Sequence, residues 1–564
     1  MNAASYFSPP KGDTPIAQGS IFIVFGTGLA GTDLQQASLP LGASLPSTNG
    51  TSIAVRSGGQ NIDAYILYTL PTQVAAILPS TAPVGSASLT LTYAGKTSSS
   101  LPIQITRTVP GIFTANSQGS GPAAALVALS STDVRQNSLT NPAAPGSVIS
   151  LFGTGLGPIA GADNVAPGAV TPDVTVTATV GGKIATVLYA GRAPQFPGED
   201  QINIQLPSDT PLGCYTPAVI AVNGIPSNDS VLSTGQTGRN SCVHPMGLLP
   251  EAEAAIDADG TLNVGAFSGA LGTIEALSQE GVTGFFANTG RDGLYATYAQ
   301  LLSNFHIPPY AVPAGECVVY DQLTASQPTS VFLSSITVAG GRELKAGNSL
   351  TLSGLLPPAL TRNSQVVTQP VARSAAGDGY LWTNTILGPG TAAHLAQGTW
   401  SLLSDSAGAD IQPFSASARL PSTLTWTNIT GMNSPRRTGV TMTWTGACES
   451  GGPTAQNPCL PNSMDYVNIF GNSSVFNATD PSRNRGKSFA CNVPSQLGIF
   501  VIPSDVTGVL PVAGVDEESR GALGIVYSNS APFLAFLTNG QRLDGGVFTL
   551  TEYMMNSGPT FAWK

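Results

Sequence analysis

The stretch Gly19-Ser20-Ile21-Phe22-Ile23-Val24-Phe25-Gly26-Thr27-Gly28-Leu29-Ala30 recurs further along the chain as Gly146-Ser147-Val148-Ile149-Ser150-Leu151-Phe152-Gly153-Thr154-Gly155-Leu156-Gly157. Side chains alternate between the two faces of a β-strand, so Ile21, Ile23 and Phe25 are expected on one face. The Gly-Thr-Gly that follows supplies glycine where a turn needs a positive φ. The two stretches therefore predict a strand and a tight turn in each copy of an internal duplication.

Further matches follow in the same order in both copies. They are Gly58-Gly59 with Gly181-Gly182, Leu67-Tyr68 with Leu188-Tyr189, Thr72–Ser80 with Asp200–Ser208, and Pro83-Val84-Gly85 with Pro211-Leu212-Gly213. Gly-Gly is a hairpin signal, and a proline ends a strand because it cannot continue the hydrogen-bond ladder. Each copy thus has about seven short strands over roughly 100 residues, which is typical of a two-sheet sandwich.

The composition agrees with many short strands joined by turns. The chain has 564 residues, 42% hydrophobic and only 10% charged, with 64 glycines and 44 prolines spread along its length. Soluble proteins average roughly 25% charged residues. A chain this long needs more than one hydrophobic core, so several domains are expected.

We expect an all-β chain of tandem immunoglobulin-like β-sandwich domains. The duplication places two of them at residues 1–118 and 119–242. The repeat ends after Cys242. The remaining chain is predicted to form a β-rich domain over 243–415, with a short helix as an option, and another immunoglobulin-like sandwich over 416–564.

Strand signals dominate the second half. The predicted strands are Cys317–Tyr320, Ser335–Val338, Ser349–Leu352, Gly398–Leu402, Leu424–Asn428, Val440–Gly446, Tyr466–Gly471, Ser488–Cys491 and Gly498–Pro503. Trp426 and Trp444 lie on two of them with strict alternation. The best helix candidate is 292–304, where leucines have helical spacing and Pro308-Pro309 follows.

The repeated order of strand, Gly-x-Gly-Leu turn, Gly-Gly hairpin and Pro-terminated strand resembles the IPT/TIG immunoglobulin-like domain. A fuller set of motifs resembles the uncharacterised Solibacter-type secreted-protein family over residues 2–242: Asn2–Ser5, Ile16–Phe22, Thr72–Pro79, Gly111–Phe113, Phe152–Pro158, Asp200–Asn203 and Gly213–Tyr215. Ala193–Pro197 departs from the Gly-Cys-Cys-type loop expected there. The resemblance implies the fold and export; because the family has no established activity, it implies nothing about function.

The six cysteines predict disulfides in an oxidising compartment, because their number is even and none forms a CxxC pair. Six cysteines permit 15 connectivities. Proximity favours Cys214–Cys242 and Cys448–Cys459, which leaves Cys317–Cys491. The alternative is six buried free thiols.

Charge and hydropathy exclude two classes of partner. The net charge of −10 offers no basic stripe for nucleic acid, and the cluster Arg483, Arg485 and Lys487 is interpreted as a solvated loop. The sequence has no run of 18 or more apolar residues, which is the length that a membrane-spanning helix needs. Met1–Ser5 shows no signal peptide. The cysteines and the family resemblance nevertheless lead us to expect an extracellular or cell-surface protein. The given sequence would then be that of a mature form or of a truncated gene model.

The usual catalytic and cofactor motifs are missing from the sequence. His244, His306 and His394 stand far apart, no zinc spacing occurs, and no Gly-x-Ser-x-Gly elbow is found. Gly153–Gly157 is interpreted as a structural turn because its twin exists, and Asp257–Gly260 lacks the Glu of a calcium loop. We predict no catalytic residue, cofactor or metal, although a triad of distant residues stays open.

Carboxylates and tryptophans offer one further reading. Glu316, Glu449 and Asp465 are candidates for a glycosidase pair, each with an ordinary interpretation as a loop or strand-edge charge. Five tryptophans would suit a sugar-stacking platform: Trp382, Trp400, Trp426, Trp444 and Trp563. For Trp426 and Trp444 the core is the preferred interpretation, because sandwiches bury large aromatic residues.

The leading hypothesis is a non-enzymatic structural or adhesive protein that self-associates, or binds other cell-surface proteins, and forms a filament through strand edges. The segment before Ile16 is the candidate donor strand. A carbohydrate-binding module array, with polysaccharide as its partner, is the alternative. A hydrolase in 243–564 is less favoured.

Overall fold

The fold comes from a computed structural model. It describes residues 1–6, 13–46, 48–117, 119, 121–128, 130, 132–228, 230–244, 248, 250–258, 260–274, 277–290, 293–294, 297, 317–321, 338, 340–355, 366–374, 379–387, 395, 397–404, 406–420, 424–428, 438–448, 450–454, 457–459, 465–475, 485–512, 519–557 and 561–563. The described chain forms two compact units. The first contains residues 1–212 and 216–239, and the second contains 213–215, 240–475 and 486–564.

The duplicated half consists of short strands in every described segment. They are β1 (Thr14–Ala17), β2 (Ile21–Phe25), β3 (Gln35–Gln36), β4 (Ser44–Leu45), β5 (Thr51–Ser57), β6 (Gln60–Asp63), β7 (Tyr65–Leu70), β8 (Gln73–Ile77), β9 (Gly85–Tyr93), β10 (Lys96–Thr97), β11 (Leu101–Thr106), β12 (Gly111–Ile112), β13 (Gly121–Pro122), β14 (Ala125–Ala128), β15 (Val134–Gln136), β16 (Val148–Thr154), β17 (Val176–Val180), β18 (Lys183–Arg192), β19 (Asp200–Gln205), β20 (Gly213–Val222), β21 (Ile225–Pro226) and β22 (Ser230–Thr234).

The first copy is a sandwich of two sheets. One sheet has the strand order β2-β8-β7-β3, and the other has β1-β11-β9-β5-β4, with β6 on β5 and β10 on β9. Side chains from both sheets meet in one core that includes Phe22, Ile53, Val74, Leu89 and Ile105. This arrangement confirms the all-β sandwich that the strand pattern predicts.

The second copy repeats the pairing and adds strands. Its order is β13-β22-β20-β17-β18-β19-β16-β14-β15, with β12 on β16 and β21 on β20. The ten-residue β18 pairs with β17 through its first half and with β19 through its second half, so it joins the two layers. The core includes Ile149, Leu151, Val180, Ile202 and Ile220.

Local details of the two copies match residue by residue. The predicted Gly-Gly hairpins are present, with positive φ at both residues: 56° and 79° at Gly58-Gly59, and 57° and 77° at Gly181-Gly182. Mirror-image two-residue turns require these values. The register also shifts at Leu67, between β7 and β8, and at Leu188, between β18 and β19. The two Leu-Tyr motifs therefore mark equivalent β-bulges.

Burial shows which face of the repeated strand meets the core. Phe22 and Val24 face the core of the first copy, as Ile149 and Leu151 do in the second. The set that includes Ile21, Ile23 and Phe25 lies on the opposite face of the sheet, and Phe25 is 50% exposed. The alternation is real, but the side chains that hold the two sheets together are the intervening ones.

The N-terminal segment is also not the free donor strand that we expected. Asn2 bridges Phe22 in antiparallel fashion, the Ala3 N–H donates to the Ile21 carbonyl at 3.2 Å, and Asn2, Ala3 and Ala4 are buried. Thr14–Ala17 pairs in parallel with β11. The two described parts of this segment, residues 1–6 and 13–17, are therefore already paired with other strands of the same chain.

The second unit contains longer strands and, in its described part, short helical segments. Its elements are α1 (Pro250–Asp257), β23 (Leu262–Ile274), β24 (Leu277–Thr289), β25 (Cys317–Asp321), β26 (Gly341–Glu343), β27 (Ser349–Leu355), β28 (Val366–Arg373), β29 (Tyr380–Leu387), β30 (Gly398–Ser404), β31 (Phe414–Leu420), β32 (Thr425–Trp426), β33 (Val440–Thr445), β34 (Ser450–Thr454), β35 (Asn457–Cys459), β36 (Tyr466–Val475), β37 (Arg485–Pro494), a 3₁₀ turn (Ser495–Leu497), β38 (Ile499–Ile502), α2 (Ser504–Gly508), β39 (Ser519–Pro532) and β40 (Gly545–Ser557).

Most of these strands form one sheet of order β25-β37-β36-β39-β40-β23-β24-β29-β28-β27-β30-β31, with β26 on β24. A small sheet β32-β33-β38 and the pair β34-β35 are separate from it. One core gathers aromatic residues such as Phe267, Phe286 and Phe414, and another contains Trp444 and Trp563. The large sheet contains strands from both sides of residue 416, so it does not mark a domain boundary there. The division at 415/416 stays a prediction.

One prediction about the second unit has a definite outcome. Trp426 faces Trp444 across β32 and β33, and both are buried, so the Trp-bearing strand pair is confirmed. The helix at Pro250–Asp257 is not among the elements that the sequence pattern predicts. Most of the helix candidate 292–304 lies outside the described residues.

Candidate functional site

The most elaborate polar arrangement in the described residues lies where the two sandwich copies meet, inside the first unit. Arg192 ends β18 and is 1% exposed, and Asp200 begins β19 opposite it and is fully buried. The Arg192 Nη1 donates to Asp200 Oδ1. The Arg192 Nη2 donates at 2.9 Å to the carbonyls of Gly19 and Gly157, which belong to different copies. One guanidinium therefore ties both copies together.

The partner carboxylate is held from the second copy. Asp200 Oδ2 accepts the Leu156 N–H at 2.8 Å. Burial raises the pKa of the Asp200 carboxyl, while the Arg192 charge and the Leu156 N–H oppose that rise. A buried charge is tolerated only when it is paired and hydrogen-bonded, and this pair meets both conditions.

A second buried contact lies beside the first. Ser80, at the end of the first copy's Gln-Val strand block, donates its backbone N–H at 2.6 Å and its hydroxyl at 2.8 Å to the two oxygens of Asp163. The Ser80 hydroxyl also accepts the Ile159 N–H at 3.1 Å. Leu41 and Asn164 exchange two further hydrogen bonds, of 2.7 and 3.2 Å.

The third contact involves the repeated Gly-Thr-Gly turn. The Thr154 hydroxyl accepts the Ile21 N–H at 2.9 Å and donates to the Gly198 carbonyl at 2.7 Å. A Cβ added at Gly198 would meet Ile21 and Ile77 at 2.8 to 2.9 Å, so only glycine lets this loop approach the first copy. These contacts together define the copy junction: Arg192, Asp200, Ser80, Asp163, Thr154 and Gly198.

An apolar pocket of about 240 Å³ lies on the outer face of the first copy. Its lining consists of Ala3, Ala4, Tyr6, Ile21, Ile23, Leu67, Tyr68, Ala75, Phe113, Thr114 and Ser117. Burial raises the pKa of the Tyr68 phenol, and the electrostatic effect of the nearby Tyr6 adds to that rise. No histidine, cysteine or carboxylate is among the lining residues, so the pocket has the character of a binding surface and offers no nucleophile–base pair.

The predicted cysteine pairs appear in two of three cases. Cys214 is bonded to Cys242, and Cys317 is bonded to Cys491. Cys448 is disulfide-bonded too, while the side chain of Cys459 lies outside the described residues. The carboxylate of Glu253 lies 3.7 Å from the Cys214 sulfur. Cys214, Cys242 and Glu253 lie close enough together to suggest a metal site. Because both sulfurs belong to a disulfide, the group lacks the thiolates that would bind a metal.

The described histidine is structural. His244 is buried, its Nε2 lies 2.9 Å from the Tyr215 hydroxyl, and burial lowers its pKa to about 3. A histidine held neutral in this way is neither a cation nor a ready proton carrier near pH 7. His306, His394 and Arg483 lie outside the described residues, whereas Arg485 and Lys487 belong to β37 and not to the solvated loop that we expected.

The remaining sequence candidates are not brought together. Asp465 accepts a hydrogen bond from the Tyr527 hydroxyl at 3.2 Å, and Glu316 and Glu449 lie outside the described residues. Asp257 ends α1, and Gly153–Gly157 belongs to the copy junction and not to a nucleotide site. The tryptophans Trp400, Trp426, Trp444 and Trp563 are buried, and Trp382 is partly buried.

The sequence motifs do not reveal the copy junction. Asp200 enters them only as a member of the repeat, and none of them singles out Arg192 or Asp163. A usable signal exists: in a chain with 10% charged residues, Arg192 and Asp200 flank the loop between two strand blocks. Charges placed there are expected to be paired when the strands are buried.

No helix in the described part of the chain is long and apolar enough to cross a membrane. No protein-family model matches the chain. No curated protein matches it either.

Solved structures with related strand content are found at very low similarity. Domains A168–A170 of titin match at 9% identity and a TM-score of 0.13, covering 70% of this chain and 90% of titin's segment. Sidekick-1 immunoglobulin domains 1–4 match at 10% identity and 0.12, covering 98% of each chain. Domains 4–9 of the surface layer protein SbsC match at 11% and 0.18, covering 96% of this chain and 64% of that one.

TM-scores this low carry no argument about this protein, and the fold assignment depends on its own sheets. Their two-layer arrangement in both copies, with equivalent hairpins and bulges, is that of an immunoglobulin-like sandwich used twice. The chain is an all-β protein of tandem immunoglobulin-like β-sandwich domains.

Proposed function

We propose that this chain is a non-enzymatic extracellular structural or adhesive protein of the Solibacter-type family, whose IPT/TIG-like sandwiches present surface to partners and self-associate through strand edges into a filament. The partners are further copies of the chain or other cell-surface proteins. The four domains proposed for it are residues 1–118, 119–242, 243–415 and 416–564.

The observation that carries this proposal is the copy junction. Tandem domains joined only by a linker swing relative to each other, and small polar interfaces allow such motion. Here a buried guanidinium bonds to carbonyls of both copies, and Ser80 and Asp163 make a second buried contact. Moving one copy against the other would break the Arg192–Gly19 hydrogen bond and both Ser80–Asp163 hydrogen bonds, and a hydrogen bond to a charged group is worth about 1.5–3 kcal/mol. A fixed spacing between surface loops is what a structural spacer needs.

The polar chemistry of the described residues supports a non-enzymatic role. The buried ionisable groups of the copy junction hold backbone carbonyls and N–H groups in place. The lining of the apolar pocket has hydroxyl groups but no histidine or carboxylate to act as their general base, and His244 is paired with Tyr215. Disulfides at Cys214–Cys242 and Cys317–Cys491 support an oxidising, extracellular location.

Carbohydrate binding is the weaker alternative. Sugar platforms use aromatic faces that are open to solvent, whereas four of the tryptophans are buried and Trp382 packs against a core. We therefore favour protein partners over polysaccharide.

Localisation and imaging test the proposal together. Immunogold labelling of producing cells is expected to place the protein outside the cell, and electron microscopy of the purified full chain is expected to show particles of uniform outline that associate as concentration rises. Turnover of ester, peptide or glycoside substrates by the purified chain, or a cytoplasmic location, would overturn the proposal. Binding on a glycan array would shift it to the carbohydrate alternative.

A further inference from the structure

Strand β38, Ile499–Ile502, is an edge of the sheet β32-β33-β38 in the described part of the molecule. It pairs only with β33, through Val440↔Ile502 to Thr443↔Ile499. Unpaired N–H and C=O groups along a sheet edge are a template for another strand. Whether an edge is used depends on its length, its charge and its side chains.

The direction of the free backbone groups follows from the register. The Trp444 N–H donates to the Gly498 carbonyl at 2.9 Å. In an antiparallel ladder hydrogen-bonded pairs alternate with non-bonded pairs, so Gly498, Phe500 and Ile502 direct their groups toward β33. Ile499 and Val501 therefore direct theirs outward, where no described residue bonds to them.

The side chains of these two residues are exposed as well. Ile499 is 53% and Val501 is 55% exposed, while Ile502 is fully buried and Phe500 packs against the core. The strand thus presents two outward-directed backbone positions, and both carry apolar β-branched side chains. Such residues are the ones that pair best across strands.

Other described edge strands of three or more residues also pair on one side only. Apart from β2, each of them contains a charged residue or a proline, and both kinds of residue discourage pairing with another edge. In the sandwich copies and the large sheet these residues are Pro15 in β1, Asp63 in β6, Arg135 in β15, Asp321 in β25, Arg342 in β26 and Arg419 in β31. Both strands of the pair β34-β35 contain a proline. Strand β2 has neither kind of residue, and Met1–Ala3 runs along it. Strand β38 has neither kind of residue and no described cover.

The edge is also self-complementary. If a second copy approaches through a two-fold axis at Phe500, Ile499 of one chain lies opposite Val501 of the other, and the reverse pair forms at the same time. Both pairs consist of residues with outward backbone groups, so four N–H···O bonds form. No charged residue lies between Leu497 and Ile502 to oppose this contact. A symmetric patch of this kind is what a two-fold homodimer requires.

We infer that β38 is a self-association edge, on which a second copy of this chain adds its own β38 in antiparallel register. This inference rests on the proposed structural role and names the partner and the edge. A two-fold contact closes on itself, so it joins chains in pairs, and a filament needs a different contact on the same molecule. With only four residues a side the interface is small, so the pairing is weak and reversible.

The test is sedimentation of the full chain from about 10 µM to about 1 mM, a range suited to weak association. Val501→Lys is compared with Thr441→Lys. Thr441 lies directly opposite Val501 on β33 and is also exposed, but it is on the inner strand, so this control matches the test variant in charge, face and sheet. We expect Val501→Lys to weaken pairing about tenfold or more and Thr441→Lys to change it little. Circular dichroism confirms that both variants are folded.

Each outcome is decisive. If the wild-type chain associates and Val501→Lys associates equally well, the β38 assignment is wrong while the self-associating structural role stands. If the wild-type chain is monomeric over the whole range, both the edge and the self-association fail. Equal weakening by the two variants also overturns the assignment, because it would trace the effect to added charge and not to the edge.

Discussion

The two sandwich copies of the first unit share one core pattern and differ on their outer faces. Core positions correspond in kind: Phe22 with Ile149, and Val74 with Ile202. On the outer face the first copy has Ile23, Ala75 and Ile77 where the second has Ser150, Asn203 and Gln205. The core-facing side chains determine the fold. The polarity of the outer-face side chains reflects whether other residues cover that face.

What covers the apolar face explains the difference. Ala3, Tyr6 and Phe113 pack on Ile21, Ile23 and Ala75 in the first copy, and Gly198 contacts Ile21 and Ile77. In the second copy the equivalent strand is β16, and its outward residues Val148, Ser150 and Phe152 are partly exposed. The same strand pairing thus serves two environments.

The largest expected effect comes from removing the charge that ties the copies together. Arg192→Met leaves Asp200 buried without its countercharge, which should lower the free energy of unfolding of the first unit by about 3–5 kcal/mol. Urea unfolding followed by hydrogen exchange of β2 and β16 measures the loss. Arg107→Met removes an exposed ion pair with Asp173 and should cost less than about 1 kcal/mol. Equal losses would show that the junction holds no special role.

A glycine substitution tests the close approach of the copies. Gly198→Ala places a Cβ against Ile21 and Ile77 and should cost about 2–3 kcal/mol. Gly224→Ala is the matched control, because Gly224 has a φ of 80° against 74° at Gly198 and no atom within 4 Å of its added Cβ. It should cost about 1 kcal/mol from backbone strain alone. The difference between the two, measured by thermal unfolding, isolates the packing contribution; no difference would contradict it.

Exchanging outer-face residues tests the comparison directly. Ala75→Asn introduces the second copy's residue at a buried apolar position and should destabilise the first unit by about 1–3 kcal/mol. The reverse change, Asn203→Ala, affects a partly exposed residue whose bond from Gln201 spans 2.9 Å, so it should cost less than about 1 kcal/mol. Chemical denaturation of both variants gives the values. A larger loss for Asn203→Ala would invert the interpretation of the two faces.

The smallest effect concerns pH and belongs to the second copy alone. Burial, with Asp200 as the second cause, raises the pKa of Glu199 from 4.5 to about 7. The folded state therefore binds this proton more tightly, and its contribution to stability is complete below pH 4.5 and lost as pH rises through 7.

Glu199→Gln should consequently stabilise the first unit by about 1 kcal/mol at pH 8 and by nothing at pH 4, after allowance for solvent screening. Asp173→Asn, at an exposed carboxylate of the same copy, is the control and should give no such pH dependence. Thermal unfolding across this pH range is the measurement. A gain at pH 4 equal to that at pH 8 would contradict the assignment.

The parts of the fold that depend on local chemistry were predictable. Gly58-Gly59 and Gly181-Gly182 demanded hairpins whatever surrounded them, and the Pro-terminated strand blocks ended where proline ends a ladder. The Trp426–Trp444 pair followed from strict alternation. These features depend on a few neighbouring residues, which is the range over which sequence patterns carry information.

Long-range partnerships were not predictable in the same way. Nothing near Arg192 in sequence reveals that Gly19 will accept its hydrogen bond, and periodicity alone does not say which of two strand faces meets the core, so Ile21, Ile23 and Phe25 were assigned no environment. The helix at Pro250–Asp257 has a weak apolar pattern, with Ala252 and Ile256 as its buried apolar residues. These features depend on tertiary packing.

The disulfide between Cys317 and Cys491 joins two residues with a sequence separation of 174. A peptide bond cut anywhere inside that span leaves both pieces covalently attached, in addition to the ladder between β25 and β37 that joins them. Nicked molecules would migrate as one species on a gel until a reductant is added. A protein standing among proteases could in this way be clipped in a loop and still remain a single object.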